Sequence, residues 1–314
     1  MPGRKTQVNP TRSAASAHRP KAGSSSSQPP TVSARWLAAA IAVVLVAAAS
    51  CAWGVLCLVV WQGSWQLLYH PSAALTRTPV SVGIAFNDLG FAASEAGLPR
   101  LQGWWIPAAA DARNSRYTAI YLHGANGNLG NSVDALSRLH SAGLNVLAFD
   151  YRGYGQSQFV HPSEARWRED AESAIRYLTD TRHVAPNVIV LVGSGLGANL
   201  ALEVAAAHPD LAGVVLDQPL QAPANAIFSD PRTHLVPAHA LVKDRWDSSA
   251  AAAELLIPSL WFQQEGANAS DEAKDFKAVT ATRMLVWLPA TGAEEQTDYM
   301  NALVRWLDGL PGHP

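Results

Sequence analysis

The chain has 314 residues, with 23 basic and 25 acidic side chains and a formal net charge of −2. Near-neutrality gives no electrostatic footprint for nucleic acid, and an apolar share of 48% suits a globular fold with a buried core. Both cysteines, Cys51 and Cys57, fall in one apolar stretch, so the remainder has no disulfide, cysteine nucleophile or cysteine-based metal site.

Residues 1–35 hold six basic side chains (Arg4, Lys5, Arg12, Arg19, Lys21, Arg35) and no acid. A segment so rich in Ser, Pro, Ala and Thr has too little apolar surface to fold, and it reads as a disordered basic tail. From Trp36 to Trp61 the chain runs 26 residues without a charge, about 39 Å as a helix. That exceeds a hydrocarbon core of roughly 30 Å and predicts a tilted transmembrane helix over residues 36–61. Trp36 and Trp61 bracket it, with Trp65 and Tyr69 beyond, as befits aromatic side chains at headgroup level. The basic tail lies on the N-terminal side, so the expectation is a cytoplasmic N-terminus and a globular domain, residues 62–314, outside the cytoplasm. Two alternatives are a signal peptide cleaved near Ala47–Ala49, past which the apolar run continues, and a lipoprotein box at Ala48–Cys51, where alanine is a poor first residue.

Beyond Tyr69 the pattern alternates. Short apolar runs predict strands over Tyr117–Leu122, Leu144–Phe149, Asn187–Val192, Leu211–Leu216, Ile257–Phe262 and Arg283–Leu288. Ala171, Ala174, Ile175 and Leu178 share a helical face within Glu169–Thr181. A glycine turn and a helix to about His208 follow the third of these strands, and a last helix ends near Leu310. β-Branched strands separated by helices imply a mostly parallel sheet covered on both faces. No repeat or second domain is evident. Trp104 and Trp105, and further on Trp246, Trp261 and Trp287, lie beside strands and read as core.

The most informative segment is Val190-Leu-Val-Gly-Ser-Gly-Leu-Gly-Ala198. A nucleophile elbow reads G-x-S-x-G, its serine held on a strained strand-to-helix turn. Gly193 and Gly197 take the flanking positions here, but the centre is Gly195. Ser194 comes one residue early, with Val192 and Leu196 two residues to either side. Glycine accepts the positive-φ backbone of an elbow without steric cost, so such a fold persists without its reacting oxygen.

From Tyr69 to about residue 310 the chain resembles the α/β-hydrolase superfamily, specifically its membrane-anchored serine-hydrolase-like group. Tyr69-His-Pro71 is similar to the family's entry to the domain. His123-Gly-Ala-Asn-Gly-Asn128 resembles the HG-x-x-GN loop and Asp150-Tyr-Arg-Gly-Tyr-Gly-Gln-Ser157 the D-Y-R-G-Y-G-x-S loop. Asp247-Ser248 through Ile257-Pro258 resembles the approach to the penultimate strand. The resemblance implies an α/β-hydrolase fold with a degenerate triad. The family's acid closes an H-G-x-x-D turn, which Glu265-Gly-Ala-Asn-Ala269 matches with Ala269 in the acid's place. Its histidine follows a P-x-x-G turn, and Pro289-Ala-Thr-Gly-Ala293 puts Ala293 there. A Ser-His-Asp mechanism needs an activated hydroxyl, a base and an orienting acid, and Gly195, Ala293 and Ala269 supply none of them.

What the resemblance leaves is an oxyanion cradle of backbone amides, at Leu196 and in the loop at Gly124 and Ala125, with the dipole of the helix that opens at Leu196. Such a cradle suits a carbonyl, carboxylate or phosphate oxygen, and the bland alternative is an occluded or water-filled remnant. Substitute candidates are Ser194 as nucleophile and Asp217, Glu265 or Asp271 as acid. His208, His234 and His239 read as structural or exposed, and His123 as a loop-packing residue. No H-E-x-x-H or paired His/Cys pattern suggests a metal, and no cofactor is expected. A different class fits the same glycines: Gly193, Gly195 and Ala198 match G-x-G-x-x-A, and Asp217 lies 24 residues after Gly193, near the spacing of a ribose-binding acid. Against a dinucleotide site stand the two hydrolase-like loops, which have no role in it.

Three functions follow from the sequence. The leading one is a membrane-anchored pseudo-hydrolase that binds a small ligand or protein partner. The others are a serine hydrolase of esterase, lipase or thioesterase type with displaced catalytic groups, and a dinucleotide-binding protein. The connection Ala222–Asp244, with three prolines, occupies the family's lid position and is too short for a separate cap.

Overall fold

The structure is a computed structural model that describes residues 32–265, 276–289 and 292–311. Its contacts divide the chain into one unit ending at Cys51 and a second beginning at Ala52. Helix α1, Ala34–Gly63, is almost wholly exposed over its apolar length, with mean hydropathy 2.6 in its most apolar window. It is long and apolar enough to cross a membrane.

The second unit is built on β1 (His70–Pro71), β2 (Asn87–Ala93), β3 (Pro99–Ile106), β4 (Thr118–Leu122), β5 (Asn126–Gly127), β6 (Asn145–Asp150), β7 (Ile189–Ser194), β8 (Gly213–Asp217), β9 (Ser259–Gln264) and β10 (Arg283–Leu288). Eight of these form one sheet in the order β10-β9-β8-β7-β4-β6-β3-β2. β2 and β3 join antiparallel at one edge, and the strands from β6 to β10 all run parallel. This is the α/β-hydrolase fold. β1 and β5 make a separate two-stranded ladder.

The central strands are buried along their whole length because both faces are covered. Side chains alternate across a strand, and the core divides accordingly. Ile120, Leu122, Leu191 and Leu216 pack toward α3 (Glu164–Arg176) and α4 (Leu196–Ala207). Tyr121, Val190, Val192 and Val215 pack toward α2 (Val133–Ser141) and the C-terminal helix Ala293–Asp308.

Most predicted strand boundaries shift by one or two residues, and the physical cause is visible in two elements. The third predicted strand begins at Ile189 rather than Asn187, because Pro186–Val188 closes a 3-10 turn with proline at its start. It therefore extends through Ser194. Helix α3 begins earlier, at Glu164, where the Ser163 hydroxyl caps the Arg166 amide, and it continues through a π-helical turn at Tyr177–Thr181. The lid-position connection carries two short helices, Asn225–Phe228 and Ala238–Leu241. Trp104, Trp246 and Trp261 are buried in the core, whereas Trp287 is only half-buried.

Trp167 of α3 anchors an aromatic cluster beneath the end of β4. It is fully buried, stacks on Tyr151 at 4.0 Å and meets Tyr154, Tyr69 and Trp246 edge-on or tilted. Removing so large a ring leaves a cavity that close-packed neighbours fill only in part. Trp167→Ala is expected to cost about 3–5 kcal/mol, measured as a fall in the urea midpoint at unchanged slope.

Candidate functional site

Strand β7 turns into α4 at Gly195, whose φ is +56° and ψ −123°. That region is essentially reserved for glycine or for a residue held under strain. The Gly195 amide donates to the Asp217 carbonyl at 2.9 Å, tying the turn to the end of β8. The flanking glycines have a different reason. A β-carbon on Gly193 would stand 2.2 Å from the Gly197 carbonyl oxygen, and one on Gly197 would stand 2.2 Å from that of Leu122. Helix and strands thus meet backbone to backbone. At Gly195 itself an added β-carbon meets nothing within 4 Å, so the turn has room for a side chain and carries none.

The loop after β4 runs alongside, with a Gly124 β-carbon position 3.3 Å from the Ser194 carbonyl oxygen. Two bonds orient it. His123 Nδ1 lies 2.8 Å from the Gly124 carbonyl oxygen, and since a carbonyl only accepts, Nδ1 carries the proton. A trans peptide sets its N–H opposite its C=O, so the Ala125 amide points away from the buried His123 ring. The Ala125 carbonyl is held in turn by the His70 amide and the Tyr154 hydroxyl, both at 2.9 Å. Leu196 opens α4, and its amide is among the first four of that helix, which have no acceptor within it. Ala125 and Leu196 are the two residues whose amides the sequence marks as candidate donors.

Behind the loop sits a polar pair whose weight is not evident from the sequence. His123 is buried, and burial lowers its imidazole to about 4, so it is neutral. Its Nε2 has no hydrogen-bond partner among the described residues and lies 3.4 Å from Asp150 Oδ1. Burial raises the Asp150 carboxyl to about 7, against the pull of the Leu129 amide donating at 2.9 Å. Gly155 folds tightly over this carboxylate, since a β-carbon there would overlap Asp150 Oδ2. The two hydrolase-like loops are tied together by the Leu129 amide donating to Asp150 and by the Tyr151 and Tyr154 hydroxyls donating to the His123 and Ala125 carbonyls.

The remaining sequence candidates are dispersed. Ala293 begins the C-terminal helix directly after Gly292. Ala269 and Asp271 lie outside the described residues. Glu265 is exposed just past β9. Ser194 alternates with Gly193 along β7 and so shares the α2 face of the sheet with Val190 and Val192, the face on which Tyr121 also packs. Asp217 stands opposite Ser194 in the neighbouring strand, buried, with its carboxylate 3.8 Å from Arg138. The Arg138 guanidinium lies over the Tyr299 ring at 4.7 Å. Among the histidines, His208 bonds Glu172 at 2.9 Å, His239 stacks on Phe228 at 4.2 Å, and His234 sits in the 3-10 turn Pro231–Leu235. Ala198 is buried in the first turn of α4. The geometry offers two backbone amides and a helix N-terminus around an open turn, with no hydroxyl–imidazole pair beside Gly195 among the described residues.

Comparisons with known proteins agree with this architecture. The family model described as Hydrolase_4, serine aminopeptidase S33, matches residues 113–288. An uncharacterised protein of Mycobacterium tuberculosis is 30% identical over 203 residues, 64% of this chain and 69% of the relative. The uncharacterised protein YfhR of Escherichia coli is 39% identical over 106 residues, 33% of this chain and 37% of the relative. Among solved structures, an esterase of Pyrococcus furiosus superposes with a TM-score of 0.58 at 18% identity, covering 78% of this chain and 98% of its own. An α/β-hydrolase of Vibrio vulnificus gives 0.55 at 20% identity, covering 72% and 82%. At these identities the two structures speak for the fold.

The glycines separate by substitution. Gly195→Ser is expected to fold with a loss of about 1–3 kcal/mol for the strained backbone, whereas Gly193→Ala and Gly197→Ala each cost more than about 4 kcal/mol through backbone overlap. Thermal unfolding of the three variants reads the difference.

Asp217 gives a pH signature. Burial raises its carboxyl to about 6, so the folded state favours the protonated form. That stabilisation is full below about pH 4 and is lost as pH rises through about 6. The stability of Asp217→Asn relative to the parent should therefore climb over that window and level off above it, by up to about 3 kcal/mol. Urea unfolding at several pH values measures the gap.

Proposed function

The chain belongs to the Hydrolase_4 (serine aminopeptidase, S33) family of α/β-hydrolase-fold proteins, and we propose that it is a membrane-anchored member that binds a ligand or partner without hydrolysing it. The observation that carries this reading is Gly195. It keeps the elbow backbone, with open space where a side chain would stand, and has no oxygen to attack with. Ala293 adds no imidazole at the base position and Ala269 no carboxylate at the acid position. Ser194 falls by alternation on the α2 face of the sheet with Val190 and Val192, which argues against its use as a displaced nucleophile.

The chemistry left to the chain is recognition. Backbone donors do not depend on side-chain identity, so loss of the triad leaves the amides of Leu196 and Ala125 in place. Together with the positive end of the α4 dipole they favour an oxygen carrying negative or partial negative charge. A carbonyl, carboxylate or phosphate group fits that description, and without a nucleophile or base the bound group is held unchanged. The dinucleotide alternative gains nothing from Asp217, whose buried carboxylate is directed at Arg138 rather than left for a ribose.

For location, α1 has the length and apolarity of a spanning segment. The basic, acid-free residues 1–35 precede it, and the positive-inside rule puts that side in the cytoplasm and the globular unit outside.

The test is serine-directed labelling of the full chain with a fluorophosphonate, read by intact mass and peptide mapping, alongside turnover of short-chain p-nitrophenyl esters. The expected result is no adduct and no turnover above buffer. A single labelled serine with turnover would sink the reading, and Ser194→Ala would then show whether Ser194 is that residue.

A further inference from the structure

A groove of about 860 Å³ opens where α1 gives way to the globular unit. Its lining comes from Trp61 and Trp65, from the entry to α3 and from the segment 241–244. The Trp65 ring stacks on His161 at 4.7 Å, which fixes one indole as part of the wall.

The charges in the groove are unevenly compensated. Its two carboxylates are engaged by the fold. Glu169 pairs with Arg152 at 2.7 Å, while Asp244 accepts from the Tyr69 hydroxyl at 2.7 Å and the Glu164 amide at 3.3 Å. Its cations are not matched in the same way. Arg166 donates to the neutral His161 carbonyl at 2.8 Å, and Lys243 is exposed. Neither makes a salt-bridge contact among the described residues, the Asp244 carboxylate acting on Arg166 only at longer range.

Depth supplies the second line of argument. About 20 helical residues counted from Trp36 traverse the hydrocarbon core and end near Val55. Trp61 follows about 9 Å further along, which is headgroup level. The surface changes character in the same order. The Trp53 indole donates to the Leu235 carbonyl at 3.0 Å, and the Leu235 side chain beside it is apolar and 66% exposed. Apolar surface thus sits at the level of Trp53, and basic, indole-walled surface one to three turns beyond it.

We propose that this groove seats the headgroup of an anionic phospholipid, with the phosphate taken by Arg166 and Lys243 and the glycerol region laid against Trp61 and Trp65. Guanidinium and ammonium groups are strong phosphate donors, and indoles favour the interface between apolar and wet phases. The proposal rests on the membrane-anchor part of the reading above and is independent of the elbow.

The experiment reconstitutes the full chain into vesicles of phosphatidylcholine containing a minority of phosphatidylglycerol. Flotation reads membrane association, and native mass spectrometry after mild detergent extraction reads the retained lipid. Phosphatidylglycerol is expected to be enriched about tenfold over its share, consistent with two cationic contacts at the surface. Arg166→Gln with Lys243→Gln should abolish the enrichment, and Arg166→Lys with Lys243→Arg should keep most of it, which separates charge from folding. Retention of both lipids in proportion to their share, or enrichment that survives in the glutamine pair, overturns the proposal. Flotation without headgroup preference overturns the groove alone. A chain that fails to float overturns the anchor, and the groove with it.

Discussion

Strand β7 and helix α4 approach so closely that neither Gly193 nor Gly197 has space for a β-carbon, and the rest of the site is arranged around that contact. It brings the first turn of α4 against the end of β4 and sets Gly195 at the apex with a positive φ. An elbow of this shape exists to present a side chain at the carboxyl end of a parallel sheet. The presenting geometry persists here because it is enforced by residues on either side of the apex. The apex residue itself meets no packing neighbour within 4 Å, so the shape of the turn depends on its flanks and on the positive φ at Gly195.

The second constraint is polar and buried. His123 and Asp150 sit at the ends of β4 and β6, adjacent parallel strands, and each begins a loop that the other helps to hold. The imidazole is kept neutral and the carboxyl is kept near its protonated form by the same burial. Tyr151 and Tyr154, from the loop that Asp150 opens, bond the His123 and Ala125 carbonyls, while Leu129 bonds back to Asp150. A cradle made of backbone amides requires its peptide planes to be fixed, and this network fixes them through their carbonyls. The loops therefore have a structural purpose that does not depend on hydrolysis.

The two ends of the chain's chemistry are physically separate. The elbow presents backbone amides and a helix N-terminus, in a region shaped by packing. The groove beside Trp61 and Trp65 presents the side chains of Arg166 and Lys243. The segment 222–244 borders both topics: it stands in the lid position and touches Trp53 through Leu235.

Much of this was legible in the residues alone. The strand positions, the helix through Ala207, the long apolar segment and the glycine at the centre of the elbow all follow from periodicity, length and motif spacing, because those properties are local. The hydrolase fold followed from the order of the HG and D-Y-R-G-Y-G loops around the glycine turn. Strand β7 starts two residues late because the proline at 186 favours a 3-10 turn over extension. The edge strand β2, helix α2 and the β1–β5 ladder were not read from pattern, being short or irregular in their alternation. Other features depend on residues far apart in the chain, and only the tertiary structure decided them. The setting of Asp217 depends on Arg138, and the neutral state of His123 on the rings of Tyr151, Tyr154 and Trp167 that bury it. Motif spacing records which residues follow one another; which of them share a dielectric and a hydrogen bond is settled when the sheet and its covering helices close over them.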